Sequence, residues 1–123
     1  MTAASDAVAM TRLAASAAAD KLATGVVAFD VSEQLSVSDV FLIASADNER
    51  QVGGIVDGVE ERLLKAGHKP VRREGDSENR WVVLDYLDLV VHVQHSEARS
   101  LYNLERLWKD CPQIDLELPE EPA

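Results

Sequence analysis

Cysteine is nearly absent from this chain of 123 residues: Cys111 is the only one, which excludes an intrachain disulfide framework and a multi-cysteine zinc site. Aromatic residues make up only 5% of the chain, so a core, if there is one, is built mainly from Val, Leu and Ala within the 46% apolar fraction. Basic residues are scarce too, 12 against 22 acidic ones, for a formal net charge of -10. Such a balance argues against docking on phosphate backbones, because nucleic-acid binders concentrate positive charge. It leaves open attraction to a basic surface, with solubility as the plainer reading. No apolar run is long enough to span a bilayer. The first ten residues, MTAASDAVAM, carry an acid where a signal peptide carries basic residues, so the expected home is a reducing cytoplasm.

What is present reads as one α/β domain. Alanine-rich residues 6–23 form a helix that Ser5 or Asp6 can cap and Gly25 ends, with Met10, Leu13, Ala14, Ala17, Ala18 and Leu22 as its stripe. Val26–Val31 and Asp39–Ser45 read as strands, the second apolar enough to be buried on both faces. A second helix spans about 48–66: Asn48 and Gln51 resemble a capping box and Gly67 a left-handed stop, while Val52, Ile55, Val56, Val59 and Leu63 form the core stripe. Gly54 and Gly58 lie four apart inside it, which suggests close approach of another backbone. Pro70 suits an edge strand before a turn-rich loop. The segment SEARSLYNLERLWKD is expected to form one C-terminal helix, capped by Ser96 and burying Leu101, Leu104, Leu107 and Trp108. The expected fold is a single domain over 1–110, a mixed sheet of about five strands with helices mostly on one face, followed by a mobile, acidic, proline-containing tail over 111–123.

The stretch WVVLDYLDLVVHVQH, residues 81–95, carries the chemistry. With Tyr86 and Leu87 as a two-residue turn, Asp85 opposes Asp88 and Trp81 opposes His92. Alternation then puts Val82, Leu84, Leu89, Val91 and Val93 on one wholly apolar face, and Trp81, Val83, Asp85, Asp88, Val90, His92 and Gln94 on the other. An aromatic beside acids on a half-wet face suits a docking patch for a basic protein. The enzyme alternative has Asp85 and Asp88 holding a metal or sharing a proton, as in nucleotidyl transfer, but no phosphate loop, basic clamp or third acid accompanies them. His92 and His95 point to opposite faces of a strand, which disfavours a shared zinc; His92 is expected half-buried beside Trp81, and His95 to bond at the strand-to-helix turn. Lys65, Lys69, Arg72 and Arg73 make the one basic group, usually a solvated rim, with a contact to RNA or to another copy's acids as the sharper reading.

The segment REGDSENRWVVLDYLDLVVHVQHSEARSLYNLERLW resembles the signature of the ribosomal silencing factor (Iojap/RsfS) family at Glu74, Gly75, Trp81, Asp85, Asp88, His92, Arg99, Tyr102, Leu104, Glu105, Leu107 and Trp108. Upstream, SVSDVFLIASADNERQV matches at Asp39 and Arg50. It departs at Leu87, where the family usually has glycine, and at the Gly53–Gly54 pair. The resemblance implies a nucleotidyltransferase-like fold without the catalytic set, and a translational repressor with neither metal nor cofactor. That repressor binds the large ribosomal subunit through the basic ribosomal protein L-fourteen and blocks small-subunit joining under nutrient limitation; a role in large-subunit maturation and a homodimer are also compatible. Trp81, Asp85, Tyr86, Asp88 and His92, flanked by Tyr102 and Glu105, are then the expected docking face, with Asp39, Glu74, Arg99 and Trp108 as secondary candidates.

Overall fold

The computed structural model describes residues 3–75 and 78–118. Its elements run α1 (Ser5–Asp20), β1 (Thr24–Asp30), β2 (Val40–Ala46), α2 (Glu49–Lys65), β3 (Arg72–Gly75), β4 (Trp81–Asp85), β5 (Leu89–His95), α3 (Ser96–Tyr102) and the single turn α4 (Leu104–Leu107). The strands form one five-stranded sheet in the order β1-β2-β5-β4-β3. Only the central β2–β5 pair is parallel; the others are antiparallel. A mixed α/β sheet is therefore what the chain builds.

One face of the sheet supports the main core. Val82, Leu84, Leu89, Val91 and Val93 all lie buried there against the fully buried α2 stripe Val52, Ile55, Val56, Val59 and Leu63. The alanines of α1 fill the remaining space, their small side chains letting that helix lie close to both sheet and α2. β2 is buried along nearly its whole length, as its continuous apolar run requires.

Helix ends follow the local sequence with several corrections. Neither Ser5 nor Asp6 caps α1; Ala4 occupies the N-cap, and its amide donates to Asp39. α1 ends at Asp20 through Leu22, left-handed at φ 63, with the Ala23 amide bonded to the Ala18 carbonyl and the Leu22 amide to Ala19. Gly25 is therefore not the stop. It sits in a β-bulge of β1, between the pairs Thr24–Ser45 and Val27–Ile43. Asn48 does cap α2, accepting from the Gln51 amide at 2.8 Å, but Gln51 donates its own side chain to the Leu22 carbonyl rather than completing a capping box. Gly67 closes α2 with the expected left-handed turn. The helix glycines admit side chains rather than a backbone: a Cβ on Gly58 would meet Lys21 carbons at 3.0 Å, one on Gly53 would meet Asn79, and one on Gly54 meets nothing.

The expected C-terminal helix is broken. Asn103, left-handed at φ 48, separates α3 from α4, an angle asparagine tolerates better than most residues. Leu101, before the break, and Leu107, after it, point to solvent at 78% and 69% exposure, whereas Leu104 and Trp108 pack on Phe29, Val31 and Ile43. His95, not Ser96, provides the α3 cap, its Nδ1 accepting from the Glu97 amide at 3.1 Å. Ser96 instead donates to the Ala46 carbonyl and Asp47.

Residues 112–118, expected to be part of a mobile tail, lie packed along the fold. Gln113 bridges Phe29, the Asp30 amide bonds the Pro112 carbonyl and the Ile114 amide bonds the Ala28 carbonyl. Ile114, Leu116 and Leu118 pack on the main core, and Arg12 clamps the Asp115 carbonyl and Glu117. The apolar residues alternating with acids in this segment let it seal the β1 edge. The remainder of the acidic tail, 119–123, lies outside the described residues.

The β4–β5 hairpin is wider than a two-residue turn. Asp85 pairs with Val90, Val83 with His92 and Trp81 with Gln94, a register two residues away from the expected one. A shift of two preserves side-chain parity, so both faces keep their expected residues. Asp85 and Asp88 are not opposed. The Asp88 amide bonds the Tyr86 carbonyl at 3.0 Å around Leu87 at φ 70, a γ-turn of the rare, strained kind. Leu87→Gly is expected to raise unfolding free energy by about 1 kcal/mol, relieved strain outweighing the added unfolded-state freedom, and urea titration reads it directly.

Candidate functional site

Pairing across the sheet fixes the layout of the face opposite α1 and α2. One row runs Arg72, Asp85, Val90, Phe41, Phe29; the next runs Glu74, Val83, His92, Ile43, Val27; a third begins Trp81, Gln94, Ser45, Thr24. The β1–β2 half is closed by Leu104, Trp108 and Cys111. Among the described residues the β3–β4 half lacks such a cover: Trp81, Val83 and Asp85 stay partly exposed, and Arg72 and Glu74 exposed. The strip is therefore open on one side only.

An aromatic row joins the closed half to the open one. Trp108 meets Phe41 edge-on at 5.2 Å, Phe41 meets His92 at 5.0 Å, His92 meets Trp81 at 6.0 Å, and Trp81 meets Tyr102 at 4.8 Å. The Trp81 indole Nε1 donates to His92 Nδ1 at 3.1 Å. His92 is thus held as the tautomer with a bare Nδ1, and its Nε2 finds no partner among the described residues. His92 is buried at 8% exposure, deeper than the half-burial its sequence suggests, and that burial pulls its pKa from 6.5 down to about 4. It lies behind Trp81 and accepts that residue's indole N–H.

Tyr86 is buried, against the exposure that its place in a two-residue turn suggests. Residues 82, 84 and 86 share the helix-side face, and Tyr86 is 7% exposed within the main core. Its hydroxyl has no partner among the described residues, and burial, with Glu60 adding, pushes its pKa up to about 12. Tyr86→Phe is expected to leave partner binding unchanged and to stabilise the fold by up to about 1 kcal/mol, since it removes an unsatisfied buried hydroxyl; parallel denaturation and binding assays check both halves.

The acids divide by task. Asp85 Oδ1 accepts the Leu87 amide at 2.8 Å, so it shapes the turn while remaining partly exposed. Asp88 is exposed, and its carbonyl takes the amides of Asp39 and Val40. The Asp39 carboxylate is occupied by the Ala4 amide at 2.9 Å. Glu74 pairs loosely with Arg72 at 3.4 Å in solvent. Glu105 takes Arg99 Nε at 2.8 Å. Tyr102 is 56% exposed, whereas Trp108 is largely packed against Phe41 with its Nε1 unpartnered among the described residues. Three of the four members of the basic group pair with acids of this chain: Lys65 with Glu61, Arg72 with Glu74 and Arg73 with Glu60.

The open strip therefore carries Trp81, Val83, Asp85, Glu74 and, at the hairpin tip, Asp88, with Tyr102 at its margin; Leu101 of α3 and Leu107 of α4 are exposed as well. Sequence periodicity misses Leu107 because it carries one helix through Asn103; the asparagine between two leucine-bearing turns is the available signal for a break. Val83 is missed for a different reason: its position on the wet face is legible, but an aliphatic residue there signals nothing by itself. Among the described residues no group of three or more His, Cys, Asp and Glu side chains is placed to hold a metal ion.

Comparison with known proteins places this geometry. Residues 4–123 match a family model described as "RsfS: Ribosomal silencing factor during starvation". A Bacillus subtilis protein named Ribosomal silencing factor RsfS is 40% identical over 106 residues, spanning 86% of this chain and 90% of that protein. A crystal structure of a Chromobacterium violaceum protein, 29% identical, superposes with a TM-score of 0.79 over 94% of this chain and 88% of that one. A more distant mouse protein named Mitochondrial assembly of ribosomal large subunit protein 1 is 30% identical over 81 residues, spanning 63% of this chain and 36% of that protein.

Proposed function

Because the chain belongs to the ribosomal silencing factor family, we propose that it represses translation as a non-enzymatic ligand of the large ribosomal subunit. In this reading the half-open strip of β3–β4, with Tyr102 of α3, docks on the basic ribosomal protein L-fourteen and occupies the surface that the small subunit needs for joining. The name of the mouse relative supports the large subunit as the relevant particle.

The observation that carries the reading is the asymmetry of the second sheet face. Its aromatic row is sealed at the Trp108 end and emerges at Trp81 and Tyr102, on a strip that carries Glu74 one row further along the strands and Asp85 in the row beyond. A partly desolvated ring at one end of a strip that bears carboxylates further along offers both a hot-spot anchor and complementarity to a cationic surface. The net charge of -10 adds long-range attraction to a basic partner, which speeds encounter at low salt.

Cosedimentation with purified large subunits, with small subunits as control, tests the proposal: the protein is expected with the large particle alone. The double variant Asp85→Asn, Asp88→Asn is expected to bind several-fold more weakly at low ionic strength and to show a shallower salt dependence. Binding unchanged in both respects removes the electrostatic basis of the docking face.

A further inference from the structure

We propose that Arg99 is a positioning residue which, seated in a socket made by the Gly25 bulge, fixes Tyr102 and the α3–α4 break against the open edge of the sheet. The inference deepens the docking reading and rests on it for its consequence in binding, though not for its structural content.

Three observations converge on this side chain. Arg99 leaves α3 on the sheet side with only 13% of its side chain exposed. Its Nη1 donates to the Thr24 carbonyl at 3.2 Å and to Ser45 Oγ at 3.0 Å, while its Nε donates to Glu105 at 2.8 Å. One guanidinium thus ties β1 and β2 to α3 and, across left-handed Asn103, to α4. Lysine has a single terminal nitrogen and cannot span these directions with the same planar fork.

The socket is equally specific. The extra residue in β1 falls between Thr24 and Val27, and Gly25 within it is left-handed at φ 58. A Cβ on Gly25 would stand 2.6 Å from Arg99 Nη1 and 3.0 Å from its Cζ. Any side chain there would therefore displace the guanidinium even if the backbone tolerated it. Thr24, the residue just before the bulge, supplies a carbonyl that also accepts from Ser45 Oγ at 3.2 Å, which aligns the two acceptors for Arg99.

What the clamp holds is the exposed end of the aromatic row. Tyr102 lies one helical turn beyond Arg99 on α3 and meets Trp81 at 4.8 Å. Glu105 is consumed by the clamp, so it acts through α4 rather than as a free contact. Arg99 is assigned here to orientation of the docking surface, not to touching the partner.

Charge gives the test its sign. Arg99→Ala makes the protein more negative, so electrostatics alone would tighten its hold on a basic surface. The clamp predicts the reverse: at least a tenfold loss of affinity for large subunits, with little change in the slope of affinity against salt. Gly25→Ala, which leaves Arg99 chemically intact, is expected to lose affinity in the same direction, and Arg99→Lys is expected to recover little of it.

A second readout needs no ribosome. Proton NMR of the wild type is expected to show Trp81–Tyr102 ring-to-ring cross-relaxation, lost in Arg99→Ala and Gly25→Ala while upfield methyl signals of the core persist. Ring contacts retained in both variants overturn the clamp, whatever happens to binding. Retained ring contacts with lost affinity in Arg99→Ala alone would make Arg99 a direct contact instead. If Arg99→Ala unfolds, Gly25→Ala and Arg99→Lys decide by the same cross-peaks. Should the wild type fail to sediment with large subunits, the docking reading falls and the NMR result still decides the clamp.

Discussion

Trp81→Ala is expected to weaken binding to large subunits by roughly 30-fold or more, the effect typical of removing an aromatic anchor at an interface centre. The same substitution carries a stability cost, because Trp81 both stacks on Tyr102 and donates its indole N–H to His92. Losing that donor leaves both nitrogens of a buried imidazole unsatisfied among the described residues, a penalty of about 1–3 kcal/mol before any loss of ring packing. Trp81→Phe separates the two contributions. It keeps an apolar ring at the margin but not the hydrogen bond, so it should retain most of the affinity while showing much of the stability loss. Urea denaturation alongside cosedimentation resolves the pair. A folded Trp81→Ala protein that binds like wild type would remove the anchor from the account.

His92 predicts a large pH effect on stability. Its ring is enclosed by Trp81 and Phe41, and burial holds its pKa at about 4, against 6.5 for an exposed imidazole. Between those values the unfolded chain binds a proton that the folded chain refuses. Stability therefore falls as pH drops from about 6.5 toward 4, and this contribution levels off below that. The full span is about 3 kcal/mol for the single group. His92→Gln preserves an acceptor for Trp81 and does not titrate, so the wild-type curve should lose about 3 kcal/mol relative to the variant across that range. Parallel curves would contradict the buried neutral imidazole.

Element order and the two faces of the β4–β5 hairpin were legible because alternation depends on parity, and parity survived a register error of two residues. The α2 stripe was legible for a similar reason: five apolar residues at helical spacing leave little choice of buried face. Most of the failures share a cause. Tyr86 was read as a turn residue at an exposed tip, yet the wider turn starts after Asp85 and carries Tyr86 one step further along the core face. Leu107 was assigned to the core because one left-handed residue, Asn103, rotates everything beyond it; Leu101, before that break, lies off the face of α3 that buries Ala98 and Arg99. Residues 112–118 looked like a solvated tail by composition, but Ile114, Leu116 and Leu118 reach an otherwise exposed core edge. Gly25 was read as a helix stop, whereas its positive φ serves a bulge that no local pattern announces. Apart from residues 112–118, the misses turn on local backbone geometry, and periodicity is blind to that.

Among the candidate residues, Trp81, Asp85, Asp88, Glu74 and Tyr102 share the open margin, while Tyr86, His92 and Trp108 lie largely inside and Asp39, Arg99 and Glu105 are engaged with this chain's own groups. Amide hydrogen exchange of the protein with and without large ribosomal subunits locates the contact directly. Added protection is expected at residues 86–88, along β3–β4 and over α3–α4, with no change on the outer face of α2 around Asp57, Glu61 and Leu64. Protection confined to α2, with the Trp81–Tyr102 margin exchanging as in the free protein, would contradict the docking face.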